Sequence, residues 1–196
     1  MLHFTAQTHV YTWNGHPVPS VTQLLRPLQD WGMVPRDVME ASKERGTHVH
    51  KITQLYDEKR LDPESVDPEY QPYLDAWCLF LRDYGAVWDG IEVMGYSTRC
   101  GFAGTYDRRG ALRTLRPGNH WIVDIKTSAM RHPIMGVQLA AYRQIETERD
   151  PLMALARRAT VQLLPSGTYQ FYEWTSSEDW NVFQSLITLS NWANKS

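Results

Sequence analysis

Along this chain the spacing of apolar residues switches from a helical period to a two-residue period near Val87, and back again near Pro133. Before the first switch, His9, Tyr11 and Trp13 alternate with polar residues, and Asn14-Gly15 supplies the positive φ angles of a tight turn before Pro17-Val18. This predicts a small N-terminal hairpin. Ser20 then reads as the N-cap of a helix whose apolar stripe is Val21, Leu24, Leu25 and Leu28, broken by Trp31-Gly32. A second helix is expected from about Arg36 to about Glu58, with Val38, Met39, Val49, Ile52 and Tyr56 on its apolar face. The Leu61–Pro68 stretch mixes prolines and acidic residues and reads as a loop. Asp67-Pro68 opens a third helix through Tyr73, Leu74, Trp77, Leu81 and Tyr84, ended by Gly85.

The middle predicts three strands, Ile91–Thr98, Phe102–Leu112 and His120–Thr127, with turns near Cys100-Gly101 and at Pro117-Gly118. A helix from about Pro133 to Glu148 follows. Thr160–Leu164 and Tyr169–Trp174 then form a hairpin across Pro165-Ser166-Gly167, and a last helix runs from about Glu178 to Asn194. Helices, three strands, a helix, two strands and a helix make an α/β fold. Its centre is a mixed β-sheet flanked by helices, not a doubly wound nucleotide fold. The 196 residues suit one domain: a hairpin and helices over 1–85, a sheet core over 86–175 and a C-terminal helix over 176–196.

Composition narrows the possibilities. A hydrophobic share of 42% can fill a core, and a formal net charge of -2 excludes a generally basic DNA-coating protein. Any nucleic-acid contact must come from a local patch. The two cysteines, Cys78 and Cys100, cannot make a four-thiolate metal or iron–sulfur site and are expected to be reduced core residues, as in a cytosolic protein. No signal-peptide pattern, membrane-length apolar run or G-x-x-x-x-G-K-[ST] loop is present, so neither secretion, a membrane nor an NTP is expected.

The run Trp121-Ile122-Val123-Asp124-Ile125-Lys126-Thr127 carries the chemistry. Alternation along a strand puts Asp124 and Lys126 on one face and Ile125 on the other. An apolar lead-in ending on a carboxylate and an ammonium is costly unless the two are paired or used. Taken alone, a structural ion pair is the plainer explanation. Asp107, in Gly104-Thr105-Tyr106-Asp107, stands 17 residues earlier, one strand plus one turn. Antiparallel pairing would bring it near Asp124. Two neighbouring carboxylates call for a counter-charge, and oxygen donors with few soft ligands suit Mg²⁺ or Mn²⁺. Lys126 could then orient the attacking water or stabilise charge on a phosphodiester oxygen.

G-x-x-D, D-x-K and then Gln138-x-x-x-Tyr142 together resemble the RecB-type exonuclease branch of the PD-(D/E)XK nuclease superfamily. Gln138 and Tyr142 share a helix face. In that branch this helix lies beside the active site and helps position DNA and the lysine. Upstream, Gly46-x-x-x-His50 looks like the branch's G-x-x-x-H helix, whose histidine is a metal ligand. His48 lies on the other flank and is not chosen. A mid-helix glycine costs about 1 kcal/mol against alanine, and close approach of another backbone would explain it. The opening Tyr11…Asn14-Gly15…Pro19-Ser20-Val21-Thr22 is similar to the start of phage and mitochondrial genome-maintenance exonucleases, so the resemblance spans Tyr11 to Tyr142. Tyr106 stands where the superfamily's name has proline, and the thiolates of iron–sulfur members are missing.

The resemblance implies a restriction-endonuclease-like core and a metal-dependent DNA exonuclease with catalytic residues Lys126, Asp107, Asp124, Gln138 and Tyr142. Its metal ligands would be His50, Asp107, Asp124 and the Ile125 carbonyl, with one or two Mg²⁺ or Mn²⁺ ions. DNA with free ends or unpaired strands is the expected partner, alongside recombination or replication proteins in a bacterial or phage-infected cytoplasm. Arg99, Arg108, Arg109, Arg113 and Arg116 crowd 18 positions around Asp107. Charge runs are usually solvated faces, but in a slightly acidic chain these read as phosphate contacts, with Arg108, Arg109 and Arg113 foremost. Glu92 reads as a solvated strand residue first and an extra site carboxylate second. Most of the eight tryptophans are expected in the core, with one or two free to stack on bases. An endonuclease of the same fold and a non-catalytic DNA-binding module are the rival readings.

Overall fold

The computed structural model describes residues 1–29, 35–115, 118–128 and 130–193, with Arg36 described by its backbone alone. Trp31-Gly32, Arg116, Pro117 and Asn194, on which expectations above fall, lie outside the described residues. Strands β1 (Leu2–Thr5), β2 (Val10–Trp13) and β3 (His16–Val18) form an antiparallel sheet, so the expected hairpin gains a third strand at its front. Asn14 and Gly15 both take positive φ, as the tight turn requires. Helix α1 (Val21–Leu24) is a single turn held by a capping box between Ser20 and Gln23. Leu28 follows in a short 3₁₀ turn and is exposed, unlike Val21, Leu24 and Leu25.

Helix α2 (Arg36–Asp57) is as long as expected, but Val38 and Met39 in its first turns are exposed, as is Tyr56, and of the expected apolar face Val49 is the buried residue. After a loop with one 3₁₀ turn at Pro63–Ser65, α3 (Gln71–Tyr84) ends on Gly85 in the left-handed region. The main sheet holds β4 (Ala86–Ser97), β5 (Phe102–Leu112), β6 (His120–Lys126), β7 (Arg157–Leu163) and β8 (Tyr169–Glu173), in that order. Only the β6–β7 pair is parallel. A parallel pair needs a crossover, and α4 (Ile134–Arg149) supplies it. That topology lays α4 over the sheet directly after Lys126. Helix α5 (Glu178–Ala193) packs beside α4.

Two apolar layers sandwich the sheet. One gathers Val21, Leu24, Tyr106, Ile122, Leu139, Tyr142 and Phe183; the other gathers Val49, Trp77, Phe80, Trp121, Val123 and Ile125. Adjacent residues of β6 thus fall into opposite layers, as a two-residue period dictates. Both cysteines are free and half-buried. Trp77, Trp121 and Trp174 are buried, whereas Trp192 is exposed. Among the described residues no helix is long and apolar enough to cross a membrane.

Candidate metal centre

Strands β5 and β6 pair from Ala111↔His120 to Arg108↔Val123, and the ladder stops one residue short of Asp107 and Asp124. Asp107 fills that gap with its side chain, and its Oδ2 accepts the Ile125 N–H at 2.5 Å. A buried N–H freed from the ladder is thereby satisfied by a carboxylate. Asp107 is 6% exposed and Asp124 2% exposed. The Lys126 ammonium lies 2.5 Å from Asp124 Oδ2, which confirms that the two share a strand face.

From α2, His50 brings Nδ1 to 3.4 Å from Asp107 Oδ1. His48 is exposed, stacks on Tyr70 at 4.9 Å and sets its Nδ1 beside the Glu44 carbonyl, away from the centre. Gly46 faces the end of β6: a Cβ there would lie 3.8 Å from Thr127 Oγ1. That is ordinary contact with a side chain, so the expected close backbone approach is absent and packing among the described residues does not demand the glycine.

The structure adds a residue that the sequence ranked low. Glu92 lies within β4 with φ of 50°, a left-handed backbone that a glutamate rarely adopts. The β4–β5 register also shifts nearby, between Trp88 and Gly90. Ligand atoms of His50, Glu92 and Asp107 all lie within 4.8 Å of one another. Asp124, expected as the third side-chain ligand, falls outside this group with its Oδ2 engaged by Lys126. Ile125 contributes its N–H to Asp107.

The charges are strongly coupled. Burial and the Asp107 charge push the Glu92 carboxyl up to about 7, against His50 and Arg108. Burial alone would raise Asp107 as well, but His50, Lys126 and the Ile125 N–H hold it down at about 2. Burial works against a charged His50, yet Asp107 raises its pKa overall. Asp124 is raised by burial despite Lys126. Carboxylates pressed together, one of them driven toward protonation, form a site short of positive charge. Two carboxylates and an imidazole suit a divalent cation of the hard or borderline kind.

The Q-x-x-x-Y residues reach this centre. Gln138 Nε2 donates to Tyr142 Oη at 3.0 Å, and Tyr142 packs so closely over β5 that a Cβ on Gly104 would lie 2.8 Å from its ring. The arginines behave differently from expectation. Arg108 is fully buried: Nε binds Asp57 at 2.6 Å, Nη1 binds Glu92 at 3.1 Å, and the guanidinium lies over the Trp77 ring. It cannot touch a phosphate in solvent. Arg109 is clamped between Asp89 and the buried Glu146, so its charge is already compensated. Arg113 is exposed but sits six residues beyond Asp107, about 20 Å along the strand, against the Gly85 turn. Burial thus removes Arg108 from phosphate contact, while Arg109 is engaged by carboxylates and Arg113 lies away from the centre. Sequence could not show this, because Asp57, the carboxylate that pairs with Arg108, lies 51 residues away at the end of α2.

Neither a protein-family model nor a curated protein matches this sequence. Among solved structures, the crystal structure of SSO0001 is similar over 75% of this chain and 69% of that chain, at 15% identity and a TM-score of 0.38. A likeness that distant carries no argument, and the functional reading rests on the residues themselves.

Proposed function

We propose that the chain is a metal-dependent deoxyribonuclease that hydrolyses phosphodiester bonds from DNA ends. The supporting observation is the His50–Glu92–Asp107 group set beside the Asp124–Lys126 pair. His50, Glu92 and Asp107 would hold Mg²⁺ or Mn²⁺, which supplies Lewis acidity at a phosphoryl oxygen and makes a nearby water more acidic. Lys126 places a compact positive charge where negative charge builds on the phosphodiester. Asp124 fixes that ammonium by their ion pair. Tyr142 and Gln138 brace each other on the wall above β5. Arg108 holds the Glu92 carboxylate from the buried side.

The test is to incubate the purified chain with end-labelled linear and covalently closed circular DNA, single- and double-stranded, in Mg²⁺, Mn²⁺ or EDTA. Linear DNA should be degraded with either cation and stay intact in EDTA, with closed circles largely spared. Rapid cutting of closed single-stranded circles would replace the exonuclease reading with an endonuclease. Binding without cleavage under every cation would leave a non-catalytic DNA-binding module.

A further inference from the structure

The stretch of β4 that carries Glu92 has two irregularities. Trp88 faces Gly110 on β5 and Gly90 faces Arg109, so Asp89 is one residue more than β5 can pair. Such a bulge re-aims the side chains near it. Glu92, three residues on, then takes its left-handed φ. A residue other than glycine stays in that conformation only where its surroundings fix it. Arg108 reaches the Glu92 carboxylate at 3.1 Å, a contact that holds the side chain and not the backbone.

The backbone is held from α4. Glu146 is 1% exposed and takes no part in the proposed metal chemistry. Its two oxygens accept from two arginines, Arg109 and Arg149. Arg109 Nε continues to Asp89, the bulge residue, at 2.7 Å. Arg149 Nη2 continues to the Met94 carbonyl at 2.7 Å. One buried carboxylate thus reaches β4 three residues before Glu92 and two residues after it. The strand also lies directly on α4 here: a Cβ on Gly95 would come within 2.2 Å of Ile145 Cγ2. Losing either arginine would leave the buried carboxylate short of counter-charge, so the arrangement resists change.

We infer that Glu146, acting through Arg109 and Arg149, is a positioning group for the proposed metal centre: it fixes β4 on both sides of Glu92 and so turns that carboxylate toward His50 and Asp107. This rests on the metal-site part of the nuclease reading and adds to it residues that ligate no cation. It gives Arg109 a role in place of the phosphate contact expected from sequence.

The test measures Mn²⁺ affinity of the full chain by calorimetry for the wild type, Glu146→Gln, Arg149→Met and Asp89→Ala, each with its melting temperature in EDTA. Three accounts of the cluster predict different results. If it only braces the fold, the variants melt earlier, but the folded chain binds Mn²⁺ as the wild type does. If it acts only through its charge, Glu146→Gln and Asp89→Ala weaken Mn²⁺ binding, whereas Arg149→Met removes a positive charge and tightens it. Positioning predicts that all three weaken it. Glu146→Gln should do so by about tenfold or more, the usual worth of a partner behind a metal ligand, and the other two by at least about twofold. The Arg149 and Asp89 side chains are 43% and 51% exposed, so these two variants carry the test if Glu146→Gln does not fold. Unchanged or tighter binding in Arg149→Met would overturn the positioning role and leave the metal centre standing. A wild-type chain that binds no Mn²⁺ would overturn both. One that binds Mn²⁺ but leaves DNA uncut would overturn the nuclease reading alone.

Discussion

Metal-free protein should lose stability as pH rises from 5 to 8, and the cation should reverse that trend. The perturbation is ionisation of Glu92, whose carboxyl the fold raises from 4.5 to about 7. A raised carboxyl binds its proton more tightly when folded, so stability falls as pH climbs from the unfolded value through the folded one. Each pKa unit is about 1.4 kcal/mol, and Glu92 is mostly buried, so the loss between pH 5 and 8 is about 2–3 kcal/mol. For a chain of 196 residues that lowers Tm by about 5–10 °C. Asp124, also raised, acts with the same sign. His50, raised above 6.5, contributes stability below that value that disappears as pH passes its folded pKa, again the same sign. Asp107, held at about 2, is ionised throughout this window and adds no slope. A cation needs the carboxylates ionised and the imidazole neutral, so its affinity rises over the same window. Thermal melting at pH 5.5 and 8, with EDTA or with Mn²⁺, reads both effects. The Mn²⁺-induced gain in Tm should be larger at pH 8, and Glu92→Gln should flatten the metal-free slope. A metal-free Tm that is level or rises over this window, or a slope that Glu92→Gln leaves undiminished, would refute the reasoning.

Four further outcomes are expected. Lys126→Ala should abolish DNA cleavage while Mn²⁺ still binds; its Tm in EDTA should fall, because Asp124 stays buried without its ammonium, and Mn²⁺ should restore part of the loss, as melting curves will show. His50→Ala should weaken Mn²⁺ binding in calorimetry by at least about tenfold, since even the outer partners of metal ligands are worth that much, while His48→Ala changes it little. Arg108→Met should cost about 3–5 kcal/mol in urea unfolding, because it strands the buried Asp57 and Glu92; a surface phosphate contact would cost almost nothing. Gly46→Ala should raise stability by up to about 1 kcal/mol, because the added methyl meets Thr127 only at ordinary contact distance.

Features set by neighbours in sequence were legible. Strand β5 spans Phe102–Leu112 and β6 starts at His120, as the two-residue period and the turn residues predict. The shared face of Asp124 and Lys126 follows from alternation, and the choice of His50 over His48 follows from helix geometry. Features set by distant contacts were not. Arg108 looked like one of a basic run until Asp57 and Trp77 closed over it. Val38 and Met39 have helical spacing, but the start of α2 finds no surface to pack on among the described residues. Glu92 depends on a left-handed residue inside a strand, which no periodicity can signal.

The concealed residue also bears on the proposed cation. A glutamate in the left-handed region costs about 1–3 kcal/mol. Its ionisation beside Asp107 costs about 3 kcal/mol more at high pH, by the same arithmetic that sets the pH slope. A glycine in α2 one turn before His50 adds about 1 kcal/mol without a packing reason. These penalties come from β4, β5 and α2, yet all fall around the space between His50, Glu92 and Asp107. Ordinary packing would scatter such costs or remove them, since a glutamine at position 92 and an alanine at position 46 would relieve two of them. A ligand that binds only the folded chain returns about 4 kcal/mol at a thousandfold excess over its Kd. A divalent cation at that point, as proposed above, would offset most of the sum.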